Sequence, residues 1–375
     1  MMKNSFKYTL FITLISANLI AFNQVVAQES NSLKIDSSLT ITGFIETYYG
    51  YDFQDPKNKR RPDFLYNHVR HNEVGLNLGL IKLNYSKDRI RGNLGLMVGN
   101  YVSENLSAEP LAMRNIYEAN VGVKLLKKHE LWLDVGVMES NLGFESVIGP
   151  KNWMMTRSLL AENSPYYLNN AKLTYTTKDK KWKLAGIFSN GWQIMVDGHP
   201  SFGHQIQWYP NNKWTINSSS YIGRVNLPTN SGFIIGELKQ RYFHNFYLKY
   251  DDEKFGVILS ADIGIDQDIQ DNTPESGWAG TAIVTRYTVS DKFAISARGE
   301  LLFDPESSVV LSPNFNSFLN IGTSLNFDYQ FHELVLWRVE GRAFSSKNPI
   351  YRYNDQPTTS NYYLGTSLSL MIGEM

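Results

Sequence analysis

Charged residues of both signs recur at alternate positions in the carboxyl-terminal part of the chain. Arg298 and Glu300 are two residues apart, and Arg338, Glu340 and Arg342 repeat the same spacing. Residues two apart lie on one face of a β-strand, so each set projects its guanidinium and carboxylate groups in one direction. This pattern does not indicate covalent catalysis. Opposed charges across a gap instead set up a transverse field that sorts solutes by size and polarity.

The same alternation extends over nearly all of the chain after residue 38. The charged residues expected on the polar face are Glu46, Arg91, Glu118, Lys124, Arg298, Glu300, Arg338, Glu340 and Arg342. The opposite face is apolar: Phe293, Ile295 and Leu301 are out of phase with Arg298 and Glu300. Segments of about ten residues with one apolar face can cross a bilayer as tilted strands. Because a backbone in hydrocarbon must pair its polar groups, such strands have to close into a barrel.

Counting the alternating segments gives about sixteen strands. They are expected near 39–51, 72–85, 89–100, 115–125, 131–139, 169–176, 181–190, 203–209, 214–222, 241–250, 255–265, 277–287, 293–303, 318–329, 334–344 and 361–372. Short spacers and long polar spacers alternate between them. The sequence therefore predicts an all-β transmembrane antiparallel barrel over 39–375, with short periplasmic turns and long extracellular loops. A soluble β-sandwich is the alternative, but its connections would not sort into two sizes.

The first residues have the features of a secretory signal peptide. Lys3 and Lys7 flank the charged start, an apolar stretch covers 8–22, and cleavage after Ala27 would leave Gln28 as the new terminus. We expect a signal peptide over 1–27 and a short periplasmic segment over 28–38. An amino-terminal anchor helix is the alternative. Export of a barrel predicts the outer membrane of a Gram-negative bacterium, with outer-membrane lipid and lipopolysaccharide as partners.

Composition excludes several classes of function. The chain has no cysteine, which removes thiolate metal sites and cysteine nucleophiles. Without Lys3 and Lys7, 34 of the 36 basic residues remain against 36 acidic ones, and this slight acidity argues against a nucleic-acid partner. His68, His71 and Glu73 are a weak metal trio, and no Ser/His/acid spacing is recognisable. The sequence predicts no enzyme, no cofactor and no metal site.

The longest spacer, 140–169, follows the fifth strand and would be the third outer loop. It contains apolar residues such as Phe144 and Trp153, which favour burial in the barrel mouth. A loop folded inward would present its charged residues to a passage and narrow it. Those residues are Glu145, Lys151, Arg157 and Glu162. The alternative is a loop that packs on the rim or contacts a neighbouring subunit.

Several motifs resemble the Bacteroidetes-type outer-membrane barrels of the porin-2, or OmpL-like, family. The resemblance lies in 43–49 (GFIETYY), 91–94 (RGNL), 139–146 (ESNLGFES), 156–167 (TRSLLAENSPYY) and 189–193 (SNGWQ). It implies a barrel with a pore role and fixes no substrate. The barrel is also similar in outline to phosphate-selective porins, although its predicted lumen lacks their lysine excess.

A barrel of about sixteen strands is too wide for its wall side chains to fill, so its lumen should contain water. The expected function is a porin through which small hydrophilic solutes diffuse passively. The alternatives are a substrate-preferring channel of the same architecture, an outer-membrane barrel enzyme, and a structural or adhesive barrel. Porins of this size often form trimers, and a homotrimer is therefore one possible assembly for this chain.

Overall fold

The computed structural model describes residues 38–226, 238–270, 273–310 and 317–373. The expected signal peptide, 1–27, and the expected periplasmic segment up to residue 37 lie outside the described residues. Thr40–Met375 form one compact unit, which is the part described below.

The described part of the chain is almost entirely β-structure. Its strands are β1 (Leu39–Asp52), β2 (Glu73–Lys87), β3 (Ile90–Val98), β4 (Ile116–Lys124), β5 (Glu130–Glu139), β6 (Tyr167–Thr176), β7 (Trp182–Ser189), β8 (Ser201–Trp208), β9 (Trp214–Asn226), β10 (Leu238–Asp251), β11 (Phe255–Asp268), β12 (Pro274–Ser290), β13 (Phe293–Asp304), β14 (Phe318–His332), β15 (Val335–Ser346), β16 (Tyr351–Tyr353), β17 (Gln356–Thr358) and β18 (Ser360–Ile372).

Sixteen of these strands close into one antiparallel barrel, and β16 and β17 form a separate hairpin. Each barrel strand pairs with its neighbours in the chain, and the last strand, β18, pairs with both β15 and β1. The closing register runs from Gly43 opposite Ile372 to Asp52 opposite Tyr363. The predicted all-β fold and the strand number of about sixteen are confirmed.

Burial follows the alternation of the sequence, as β18 illustrates. Leu364 and Leu368 are exposed on the outer face, whereas Tyr363 and Ser367 are buried on the inner face. The same division holds along most strands, so the outer face is apolar and the inner face carries the charges. This is the arrangement expected where lipid surrounds the wall.

Connections of two sizes lie at opposite ends of the strands. One end has turns of two to five residues, such as 88–89 and 209–213. The other end has the longer loops, apart from the five-residue connection 269–273, and they include L1 (53–72), L2 (99–115), L3 (140–166) and L4 (190–200). L2 contains helix α1 (Asn100–Asn105), and L3 contains a 3-10 turn (Gly149–Lys151) and helix α2 (Leu159–Glu162).

None of the helices in the described ranges is long and apolar enough to cross a membrane. L3 ends three residues earlier than the sequence suggested, because Tyr167 already pairs with Glu139 and begins β6. The hairpin of β16 and β17, in the last long loop (L8, 347–359), was not predicted.

Candidate functional site

Loop L3 reaches across the inside of the barrel. It leaves the wall at β5 and returns at β6, yet its middle part bonds to side chains of β13, β14 and β15. In a ring of sixteen strands, β14 lies eight positions from β6, which is half of the circumference. L3 therefore divides the lumen instead of following the wall next to it.

Thr156 of L3 is the centre of this contact. Its backbone N–H donates to Glu340 Oε2 (2.7 Å) and its hydroxyl donates to Glu340 Oε1 (2.6 Å). Arg298 donates to the carbonyl oxygen of Thr156 (2.8 Å) and also to its hydroxyl oxygen (2.9 Å). Arg342 donates to the same hydroxyl oxygen (3.1 Å). Two wall arginines and one wall carboxylate thus bind one loop residue.

Glu300 completes the charged cluster. It accepts a hydrogen bond from Arg342 (2.6 Å) and one from the backbone N–H of Leu159 (2.6 Å), and its Oε1 lies 3.2 Å from Arg298 Nε. The side chains of Arg298, Glu300, Glu340 and Arg342 are completely buried. Charges withdrawn from water are tolerated only where close partners and hydrogen bonds satisfy them. The loop supplies those partners, so the cluster holds L3 in place.

Arg338 forms a second anchor. Its guanidinium donates to three carbonyl oxygens of L3, those of Gly149 (2.8 Å), Met154 (2.9 Å) and Asn152 (2.5 Å). Asp328 balances its charge, with Oδ1 at 3.0 Å from Arg338 Nε. An arginine has five donors in a rigid fork, and here that fork fixes the path of the loop backbone.

Three of the four loop charges expected to face the passage are buried instead, and two of these, Glu145 and Arg157, bond within L3. Glu145 has a side chain that is 2% exposed, and it accepts hydrogen bonds from the N–H (2.9 Å) and the hydroxyl of Ser158. Arg157 is fully buried and donates to the carbonyl oxygens of Met155 and Val147, each at 2.9 Å. Because both side chains are shielded from water, their charges are satisfied by hydrogen bonds within L3, and these bonds hold the loop in its fold.

The other two loop charges differ from each other. Glu162 is buried and accepts hydrogen bonds from the N–H of Tyr66 (2.8 Å) and from Asn67 Nδ2 (3.2 Å), so it joins L3 to L1. Burial raises the pKa of Glu162 to about 7, against the lowering effect of those hydrogen bonds. Lys151 is exposed. Of the four, Lys151 alone has a side chain open to water.

Glu46, expected on the polar wall, is buried beneath L1. Its Oε2 accepts a hydrogen bond from Asn77 Nδ2 (2.8 Å) and lies 3.3 Å from His68 Nε2. His71 instead contacts Asp52 and Asp55, and Glu73 pairs with Arg70. The trio of His68, His71 and Glu73 does not converge. Across the described ranges, no three His, Cys, Asp or Glu residues are grouped to hold a metal ion.

The remaining wall charges face water on the other side of L3. A cavity of about 860 Å³ lies against the inner wall of β3 to β7, and Arg91 and Glu118 line it. Lys124 binds Glu130, which lines the cavity as well (2.5 Å). The nine predicted wall residues therefore fall into two groups. Arg91 and Glu118 line the cavity and Lys124 pairs with its Glu130, whereas the other six are covered by loops.

An apolar cluster borders this cavity toward the long loops. It contains Tyr101 of L2, Val147 of L3 and Met195 of L4, together with the wall residue Tyr117. The hydroxyl of Tyr117 donates to Glu139, which lines the cavity. Apolar and aromatic side chains from three loops thus meet at the end of the charged surface.

Lys172 and Lys183 were not among the predicted wall residues, yet both line the cavity. Both lie at the inward-facing positions of their strands, which alternate with the outward-facing positions of Tyr175 and Trp182. The alternation used for the other wall residues was sufficient to find them. By contrast, no local signal joins Thr156 to Glu340, because the two are 184 positions apart.

Three solved structures illustrate the similarity of this fold to known proteins. OmpT of Vibrio cholerae in its trimer form has a TM-score of 0.61 at 10% identity, covering 89% of this chain and 98% of its own. The anion-selective porin from Comamonas acidovorans has a TM-score of 0.59 at 8% identity, covering 89% and 99%. OprB of Pseudomonas putida has a TM-score of 0.58 at 10% identity, covering 92% and 96%. At these identities the likeness shows the fold alone.

No curated protein matches the sequence. A family model does match, over residues 38–372, which is nearly the whole chain, and its description is beta-barrel porin-2, OmpL-like. That match covers the strands that form the wall and the loop that crosses the lumen. The chain belongs to this family of outer-membrane β-barrel porins.

Proposed function

We propose that this barrel lets small hydrophilic solutes diffuse passively across the outer membrane, along the inner wall of β3 to β7. One observation carries the proposal. L3 is bound to the opposite wall through Thr156 and Glu340, and the water-accessible cavity with its charged lining lies on the near side. A sixteen-stranded barrel has the circumference for such a passage beside an inward loop.

In this proposal L3 narrows the passage but contributes few charges to it. Lys151 is its exposed cation, whereas Glu145, Arg157 and Glu162 act by holding the loop. The apolar cluster of Tyr101, Val147 and Met195 limits the width at the other border. Movement of L2 or L4 would change that width.

The proposal gives the protein no catalytic role and assigns its surfaces as follows. The short turns face the periplasm, the long loops face outward among lipopolysaccharide, and the apolar outer faces contact lipid. A cleaved signal peptide over 1–27 brings the chain to the periplasm. A homotrimer is the assembly we propose for it.

Reconstitution tests the function directly. Purified protein in planar bilayers should produce discrete, long-lived conductance steps in KCl, and liposomes containing it should swell in solutions of small sugars. Heat-denatured protein is the control for both assays. Folded protein that gives neither conductance nor swelling would contradict a diffusion porin. Turnover of a lipid or peptide substrate would favour the barrel enzyme instead.

A further inference from the structure

The charges of the barrel interior balance overall but not locally. The arginines and glutamates of β13 and β15 lie beneath L3, where Arg298, Glu300 and Glu340 are shielded from water. A solute on the other side of L3 passes the charged cavity lined by β3 to β7 and the exposed Lys151 of L3. The local charge of that surface is therefore the one that acts on a solute.

Four carboxylates line this cavity, and three of them already have a cationic partner. Asp134 accepts two hydrogen bonds from Arg91 (2.6 and 2.5 Å). Glu118 pairs with Lys82. Glu130 binds Lys124 (2.5 Å). Glu139 accepts a hydrogen bond from Tyr117 and keeps its negative charge, but Lys180 also lines the cavity and offsets it.

Lys172 and Lys183 have no such partner. They project from the adjacent strands β6 and β7, both line the cavity, and both are half-buried. Within the described part of the chain, no carboxylate lies within ion-pair distance of either amine. The neighbouring cations Lys82, Arg91 and Lys124, by contrast, each form an ion pair. Thr174 and Thr176 line the same stretch of wall and add hydroxyl donors.

We propose that this cavity selects small anionic solutes, carboxylates or phosphates, through the uncompensated charges of Lys172 and Lys183. The inference rests on the proposed diffusion function and names the solute class for it. Ammonium groups and hydroxyls are the donors that carboxylate and phosphate oxygens accept from. In water, one unit charge about 7 Å from an ion biases its local concentration by about threefold, and two aligned charges act together.

The experiment measures reversal potentials of the reconstituted protein in a tenfold KCl gradient. Wild-type protein should pass Cl⁻ in preference to K⁺. The double variant Lys172→Gln/Lys183→Gln should lose about threefold or more of that permeability ratio, and the difference should shrink in 1 M salt because screening shortens the field. Lys172→Arg/Lys183→Arg keeps both charges and should keep the preference.

The matched control is Lys213→Gln/Lys254→Gln, which removes two lysines from the short turns, where Lys213 pairs with Asp252 (2.9 Å). It should leave the permeability ratio unchanged. A heat-induced mobility shift on detergent gels shows that each variant has folded. Conductance without anion preference, or an unchanged ratio in the double Gln variant, overturns this inference and leaves the diffusion function standing. Absence of conductance in the folded wild type overturns the diffusion function itself.

Discussion

Thr156 and Glu340 are 184 positions apart in the chain, yet the N–H and the hydroxyl of Thr156 donate to the two carboxylate oxygens of Glu340, at 2.7 and 2.6 Å. One residue belongs to a loop and the other to the opposite wall. Because Arg298 and Arg342 donate to the same hydroxyl oxygen, its removal affects three charged groups together.

Thr156→Val should therefore destabilise the barrel by about 1.5–3 kcal/mol, the range for a hydrogen bond to a buried charge. Valine keeps the shape and the backbone N–H and removes only the hydroxyl. Urea unfolding in lipid vesicles measures the effect. Thr323→Val is the control, since Thr323 is exposed on the outer face of β14. Equal stabilities of the two variants would show that the hydroxyl contributes little to holding L3.

Removing residues 146–160 should widen the passage. The deletion takes away the part of L3 that binds Arg338, Glu340 and Arg298, and those side chains then face water, which can solvate them. We expect higher single-channel conductance and entry of larger sugars in liposome swelling, with the barrel still assembled. Shortening the L8 hairpin by deleting 352–357 is the control. Unchanged conductance after the L3 deletion would mean that this loop does not limit the passage.

The contact between L1 and L3 should depend on pH. Burial raises the pKa of Glu162 from 4.5 to about 7, so the folded state favours the protonated carboxyl. The stability that the protonated Glu162 gives to the contact between L1 and L3 is then complete below about pH 4.5 and is lost as pH rises through about 7. Hydrogen exchange of the segment around Tyr66, corrected for intrinsic rates, should increase over that interval. Glu162→Gln should remove the dependence, and a wild-type-like pH profile in that variant would assign it to another group.

Much of this molecule follows from a period of two in the sequence. Alternation locates the sixteen wall strands and the inward phase of residues such as Arg91 and Lys172. It does not explain Gly136, where φ is +130° and a side chain would collide with the carbonyl oxygen of Ala119. It also says nothing about which distant residues meet. The burial of Arg157 depends on the folded path of L3, which supplies its carbonyl partners, and that path is fixed by wall residues on the far side of the barrel.

The assignment of outer and inner faces can be tested with two substitutions to arginine, one in β18 and one in β6. Leu368 is 48% exposed on the outer face, so Leu368→Arg should cost about 2–4 kcal/mol near the middle of the membrane. The inward substitution should not be made at the neighbouring Ser367, because it is buried and lies opposite Arg338, where a second arginine would be repelled. Thr176 lines the cavity and serves better. Thr176→Arg should fold normally, and equal losses of stability in the two variants would contradict the assigned faces.

The outer face contains one polar patch at mid-strand. His204 of β8, Ser220 of β9 and His244 of β10 are paired in register, and Ser220 Oγ lies 2.6 Å from His204 Nδ1. Ser218 Oγ lies 3.2 Å from His204 Nε2 and 3.4 Å from His244 Nε2. On the same faces, Phe202 and other neighbours are exposed and apolar. These four residues form a hydrogen-bonded group on an outer face that is mostly apolar.

His204→Leu/His244→Leu should stabilise the barrel in lipid vesicles if the patch faces lipid, by about 1–3 kcal/mol, because two polar rings leave the hydrocarbon. Urea unfolding gives the stability, and native mass spectrometry gives the number of chains in the assembly, which should not change. Leu364→Ala, also on the outer face, is the control for a change in packing with lipid. Loss of an oligomer in the double Leu variant, with or without a change in stability, would instead place a protein contact at this patch.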